Sequence, residues 1–267
     1  MRLITFDALR CLDISGVRYL KPELMFRHKV ELKEADWLLF PEYWQVNSLV
    51  YGLRKRVFPS AGSYHLGHDK VEMTRAFWSL CPEHVPHTLI LPATPAAVEQ
   101  VLDTFAFPFI AKEVRNSMGR GVHLIGSQME FAAYCRANPV LYVQEYLPIR
   151  RDLRVVYVGD QVITAYWRRG ADGEYRNNVA RGADIDFGDV PAPALELVGR
   201  VAQALNIDHA GFDVAELDGH YFLLEFNTLF GTSGLRQRNI SLGPYILNYL
   251  ERNTPQPTRP TDLRLSA

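Results

Sequence analysis

The stretch from Asp213 to Asn227 reads DVAELDGHYFLLEFN, and its ends carry three side chains with hard oxygen donors: Asp213, Glu225 and Asn227. Apolar runs on both sides of Asp218–Gly219 make this a β-hairpin with a strong turn signal. Residues i and i+2 of a strand share a face, so Glu225 and Asn227 point the same way. Two registers are open for Asp213. A strict two-residue turn at 218–219 sets Asp213 opposite Leu224, with Glu225 on the other face. A three-residue loop, Asp218–His220, sets Asp213 opposite Glu225. The second brings together donors suited to Mg²⁺, which takes one or two carboxylates and then phosphate oxygens. The first leaves a solvated hairpin face with ordinary acids. Acids inside LLEFN are costly if unpaired, which favours a use for them.

A second group lies upstream in FIAKEVRNSMGRGV, residues 109–122. Lys112 ends an apolar strand, where its ammonium can meet a phosphate. Ser117, Gly119, Arg120, Gly121 and Val122 follow in a glycine-bearing loop whose backbone N–H groups can close over phosphates; a plain turn is the plainer reading. No GxxxxGK[ST] and no GxGxxG after a strand occur, so neither a P-loop nor a dinucleotide site is supported. VQEYL, residues 143–147, reads as an extended hinge with backbone groups available to a flat heterocycle, or as a buried strand end. Seven arginines and no lysine fall between positions 150 and 181: Arg150, Arg151, Arg154, Arg168, Arg169, Arg176 and Arg181. Arginine suits bidentate recognition of carboxylate and phosphate, although a basic solvated face has the same composition. His65/His68 and His84/His87 have metal-like spacing but no further ligands, and are read as ordinary residues.

The elements that must hold these groups follow from periodicity and caps. Arg2–Phe6 and Trp37–Phe40 read as buried strands, with a helical candidate at Leu20–Leu32 between them. A helix is expected from about His68 to Leu80, with Asp69 as cap and Pro82 past its end. Thr94 with Pro95 opens a helix to Thr104. Ser127 caps Gln128–Ala137. Strands are expected at Thr88–Leu91, Phe109–Val114, Val122–Ile125 and Leu141–Glu145. After this β-α-β region the style changes to antiparallel hairpins. Leu153–Val158 and Gln161–Arg168 join at Gly159–Asp160, and Ala210–Leu217 joins Tyr221–Phe226 after a helix at Pro193–Leu205. From Glu251 the chain reads as a loose tail.

At 267 residues, with 48% hydrophobic and 22% charged side chains, the chain can bury a proper core. Its 29 basic and 30 acidic residues give a net charge of −1, which argues against a nucleic-acid footprint over the whole surface. Cys11, Cys81 and Cys135 are scattered, with no CxxC pair, as in a reduced cytoplasmic protein. The N-terminus lacks a signal-peptide core, and no apolar run approaches the ~18 residues of a membrane helix. The cytosol is the expected compartment.

In order, lysine, glycine loop, hinge, arginine-rich strands and Asp…Glu-x-Asn resemble the ATP-grasp superfamily, and within it the RimK-like and glutathione-synthetase group. The resemblance runs from about Asp69 to Gly234, through HDK, FPFIAK, SMGRGV, VQEYLPIRRDLRVVYVGDQVITAYWRR, YRNNVARGA and GFDVAEL…LLEFN. It implies an α+β fold of two lobes clasping ATP: a short α/β unit at 1–66, a lobe at 67–145, a second lobe at 146–250, and a flexible tail at 251–267. It implies that Lys70 and Lys112 contact ATP phosphates and that Ser117 to Val122 cover the β- and γ-phosphates. Gln144, Glu145, Tyr146 and Leu147 would line the adenine pocket, with Asp152 near the sugar or substrate edge. Arg154, Arg168 and Asn178 would face the reacting groups, and Asp213, Glu225 and Asn227 would hold two Mg²⁺ ions, with Mn²⁺ as a substitute. The family's metal site favours the three-residue register at the last hairpin.

The implied activity is ATP-dependent ligation of a carboxylate to an amine, with small-molecule or peptide substrates, no nucleic acid or membrane partner, and a homo-oligomer left open. An ATP-grasp kinase and a non-catalytic ATP-binding regulator are the alternatives. Departures from the family pattern are Glu113 after Lys112, Gly182–Ala183, the TLFGTSG run after Asn227 and the short N-terminal unit. They bear on the substrate more than on the ATP site.

Overall fold

The computed structural model describes residues 1–115, 121–170 and 184–255. Three sheets follow one another along the chain. The first is parallel, in the order β2–β1–β3–β4, from β1 (Leu3–Thr5), β2 (Val17–Tyr19), β3 (Trp37–Leu39) and β4 (Val57–Phe58). Its crossovers carry α1 (Lys29–Glu34) and α2 (Tyr43–Asn47). The helix expected at 20–32 divides at His28 into a 3₁₀ run, Pro22–His28, and α1.

Two helices lead out of this sheet. Ser60 caps an additional helix, α3 (Ala61–His68), and Asp69 then caps α4 (Lys70–Leu80), the helix expected there. The Asp69 carboxylate accepts the Val71 N–H at 2.9 Å, and that cap fixes where Lys70 starts its helix.

The second sheet is antiparallel, β5–β8–β6–β7, formed by β5 (Thr88–Pro92), β6 (Phe109–Lys112), β7 (Val122–Ile125) and β8 (Val140–Glu145). Helices α5 (Pro95–Thr104) and α6 (Gln128–Ala137) cover one face. Val101, Phe109, Ala111, Phe131, Leu141 and Val143 form the core there. Strand alternation then puts Ile110, Lys112, Tyr142 and Gln144 on the opposite face, with Lys112 paired to Tyr142 and Ile110 to Gln144.

The third sheet has the order β11–β10–β9–β12–β13, all neighbours antiparallel. Its strands are β9 (Arg151–Val158), β10 (Gln161–Arg169), β11 (Asp184–Asp186), β12 (His209–Leu217) and β13 (His220–Asn227). One face packs on α4 and α7 (Ala192–Ala204) through Leu153, Val155, Phe212, Val214, Leu223, Phe226, Phe77 and Val198. The other face is apolar only at one end. There Val156, Val158 and Phe230 meet Leu39 and Phe58 of the first sheet and Ile246 and Leu250 of α9 (Gly243–Arg252), which follows α8 (Ser233–Gln237). The loose tail expected from Glu251 is corrected at its start, because α9 runs to Arg252 and Leu250 is fully buried; residues 256–267 lie outside the described residues. At the other end this face is polar and looks toward Lys112.

Candidate active site

The last hairpin decides where the oxygen donors go. Asp218 and Gly219 both have positive φ, 52° and 79°, and Leu217 pairs with His220. The turn is thus the two-residue kind, and the three-residue loop is corrected. A strict ladder from that turn would still carry Glu225 to the wrong face. Instead the register shifts between Asp213 and Val214: Val214 pairs with Leu223, but Asp213 pairs with Glu225. Leu224 is the extra residue of a β-bulge, which restores the convergence the short turn alone would forfeit. Asn227 lies two residues on, and its amide donates to Glu225 Oε1 at 3.2 Å.

The register continues across the sheet. Tyr166 on β10 pairs with Arg154 on β9, Arg154 with Asp213 on β12, and Asp213 with Glu225 on β13. Directly paired residues share a face, so four strands contribute one polar row. Arg154 Nε lies 2.6 Å from Asp213 Oδ1 and its Nη2 donates to Oδ2 at 3.3 Å. Arg168 Nη2 lies 3.0 Å from the same Oδ1, and its Nε donates to Asp152 at 2.7 Å. All four side chains are at most 10% exposed. Gly211 gives the Arg154 guanidinium its space, because a Cβ there would sit 2.6 Å from Nη1.

Lysines come from the facing elements. Lys70, at the start of α4, places Nζ 3.6 Å from Glu225 Oε2. Lys112, at the end of β6, is buried with Nζ 5.6 Å from the Tyr142 ring centroid. Burial pulls its pKa down to about 8; Glu225 and Asp213 oppose that pull and Lys70 adds to it. Tyr142 itself is held by Thr74 on α4 at 2.7 Å. The sequence reading overlooked this pair, although Tyr142 sits two residues before Gln144 and so shares its face.

The hinge residues continue from there. Gln144 is buried and donates to Thr88 Oγ1 at 2.8 Å. The Glu145 carboxylate accepts the His87 N–H at 2.6 Å and so turns toward the start of β5. Tyr146 and Leu147 are half-buried in the link to β9, and the Leu147 carbonyl accepts the Ile149 N–H. Gly121, at φ 72°, accepts the Glu113 N–H at 2.7 Å, and Val122 pairs with Lys112. Ser117, Gly119, Arg120, Arg176, Asn178, Arg181, Gly182 and Ala183 lie outside the described residues. Of the remaining arginines, Arg151 stacks on Trp167 at 3.9 Å, while Arg150 and Arg169 are exposed. His65 bonds Asn47 and His84 bonds the Tyr221 carbonyl, as ordinary side chains do. Among the described residues no three His, Cys, Asp or Glu side chains form a metal cluster.

The site therefore faces two lysines toward a carboxylate row backed by arginines, a layout for polyanion and cation together. The model of the RimK-like ATP-grasp domain matches residues 82–250. The chain belongs to that family. Members of this ATP-grasp family are ATP-dependent ligases that join a carboxylate to an amine and use Mg²⁺ with the nucleotide. The probable alpha-L-glutamate ligase of Citrobacter koseri is 27% identical over 217 residues, 75% of this chain and 72% of the relative. The D-alanine–D-alanine ligase of Bacillus anthracis complexed with ATP superposes with a TM-score of 0.65 at 15% identity, over 89% of this chain and 84% of that one. The ATP-grasp ligase PsnB, complexed with a phosphomimetic precursor variant, Mg and ADP, gives 0.60 at 18% identity, over 82% and 79%. These likenesses carry the α+β ATP-grasp fold. Among the described residues no helix is long and apolar enough to cross a membrane.

Proposed function

We propose that this ATP-grasp ligase activates a carboxylate as an acylphosphate at the Lys70–Lys112–Glu225 cleft and then passes the acyl group to an amine. The observation that carries this reading is the polar row Arg154–Asp213–Glu225 facing Lys70 and Lys112. In the first step a substrate carboxylate oxygen attacks the γ-phosphorus, and the bond to the β–γ bridging oxygen breaks to release ADP. In the second the amine nitrogen attacks the acyl carbon, the carbon–oxygen bond to phosphate breaks, and the amine loses a proton.

Lys112 and Lys70 supply fixed positive charge to the phosphates, in a buried setting where that charge acts over a low dielectric. Gln144 to Leu147 frame the adenine, and Gly121 and Val122 flank the phosphates. Arg168, steadied by Asp152, stabilises negative charge on the acylphosphate and on the tetrahedral adduct.

The donor set fits a divalent cation. Two carboxylates and an amide are all hard oxygen ligands. Asp213 Oδ1 and Arg154 Nε, though in close ionic contact, are buried without an aligned hydrogen bond among the described residues. Asp213, Glu225 and Asn227 would hold the metal, as one or two Mg²⁺ ions or Mn²⁺ in their place. Once bound it would neutralise phosphate oxygens and orient the γ-phosphoryl group.

A phosphate-release screen with Mg-ATP and pooled amino acids and peptides, followed by mass spectrometry, tests this. An amide product with equimolar ADP and inorganic phosphate is expected. A phosphorylated product without free phosphate would make the protein a kinase. Glu225→Ala is expected to lower turnover by about a thousandfold or more while its thermal melt stays cooperative. ADP release at the wild-type rate would remove Glu225 from the metal site.

A further inference from the structure

The four buried groups Arg154, Arg168, Asp152 and Asp213 are electrically balanced without any ligand, two guanidiniums against two carboxylates. We propose that Arg154 is a resident counter-ion of the metal ligand Asp213, which makes metal and nucleotide binding interdependent. The proposal rests on the reading of Asp213 as a metal ligand.

The asymmetry between the two arginines carries it. Arg168 is shared between Asp213 at 3.0 Å and Asp152 at 2.7 Å, so it keeps a carboxylate whatever happens to Asp213. Arg154 makes no second ion pair among the described residues beside the one with Asp213, although Asp152 is near enough to feel its charge. A divalent cation that takes Asp213 strands a guanidinium only 8% exposed. A buried charge that loses its partner is costly, so metal alone binds against that cost. A nucleotide removes it, because a phosphate oxygen can accept the donors that Asp213 gives up. Each ligand then strengthens the other, and the coupling passes through one side chain. Gly211 suits this role: a Cβ there would sit 2.6 Å from Nη1, so the glycine is what lets the guanidinium lie against β12 beside Asp213.

Arg154 is therefore a positioning residue, and its test reads binding instead of turnover. Mn²⁺ binding to the full chain is followed by the electron-paramagnetic signal of the unbound ion, with and without a non-hydrolysable ATP analogue, and the Mn²⁺ taken up by the analogue alone is subtracted from protein-free titrations. In wild type the analogue is expected to tighten Mn²⁺ by about tenfold or more. In Arg154→Met, Mn²⁺ alone is expected to bind about tenfold tighter than to wild type, and the analogue's effect is expected to shrink. Equal Mn²⁺ affinity for wild type and Arg154→Met without nucleotide would overturn the proposal. If Arg154→Met does not fold, Arg154→Lys serves: it keeps the charge but loses the forked contact, and about a threefold tightening is expected. No tightening in that variant overturns the proposal equally. Asp213→Asn separates the two readings. Unchanged Mn²⁺ binding there, with the analogue present, would sink the metal assignment itself. Lost binding there alongside an unaltered Arg154→Met would sink only the counter-ion role.

Discussion

Two buried aspartates five residues apart, Asp208 and Asp213, are handled in opposite ways. Asp213, on β12, meets two guanidiniums within 3.0 Å. Asp208, one residue before β12, has no ion pair among the described residues and accepts from Ser60 N–H at 2.7 Å and the Ser63 hydroxyl at 3.1 Å. Burial pushes the Asp208 carboxyl up to about 7, with those hydrogen bonds opposing it. Its neighbour His209 is pulled down to about 3, again by burial, and its neutral ring donates Nδ1–H to the Thr228 carbonyl at 2.7 Å. The Asp208 end is a hydrogen-bonded lock that ties the start of α3 to β12. The Asp213 end keeps full charges in the interior, which is worthwhile where other charges must arrive.

Removing each carboxylate should widen this contrast. On the proposed function Asp213→Asn would take a ligand from the metal; it also leaves Arg154 without its ion-pair partner, while Arg168 keeps Asp152. Turnover is expected to fall by about a thousandfold or more, and stability by roughly 3–5 kcal/mol, the usual effect of breaking a buried pair from one side. Urea unfolding and ADP release measure the two losses. A variant that is inactive yet as stable as wild type would mean that the arginines find another anion.

Lys112→Met comes next. Turnover is expected to drop by about a hundred- to a thousandfold, since the proposed function puts this fixed charge at the phosphates. Stability should hold or rise, because burial already weighs against that ammonium, as its lowered pKa records. A destabilised Lys112→Met would show the lysine to be a structural strut.

How much of this was legible in the sequence follows the same divide. The second and third sheets were readable because their signals are local: the Thr94 and Ser127 caps, the Gly159–Asp160 turn, and alternation along β9 and β13. Lys112, Asp213, Glu225 and Asn227 stood out for the same reason. What stayed hidden was relational. The bulge at Leu224 leaves no mark in composition, because an extra leucine in an apolar strand looks like any other; only packing of Leu223 and Phe226 on the α4–α7 side while Glu225 faces the cleft demands it. The pairing of Arg154 with Asp213 depends on β9 and β12 lying side by side, 59 residues apart in the chain. Helices α8 and α9 were missed because both start without a side-chain cap. The hydrogen-bonded lock at Asp208 was missed because an acid before a strand reads as a turn residue.

That lock supports the mildest test, and its sign follows from the two shifted groups. Between about pH 4 and 7 the folded chain keeps a proton on Asp208 that the unfolded chain releases, so this residue makes stability fall as pH rises. Between about pH 3 and 6.5 His209 is neutral in the fold and protonated when unfolded, so it makes stability rise with pH. Over the shared window the two nearly cancel. Asp208→Asn keeps an oxygen for Ser60 and Ser63 but removes the falling contribution. Relative to wild type, its unfolding free energy is expected to climb by up to roughly 1.4 kcal/mol per pH unit from pH 4 to 6.5. At pH 8 the variant should be at least as stable as wild type, with turnover within about threefold, since mutations far from the chemistry leave the transition state alone. Parallel stability curves for the two proteins across that window would mean that Asp208 is ionised in the fold, and the contrast with Asp213 would then be one of partners instead of charge.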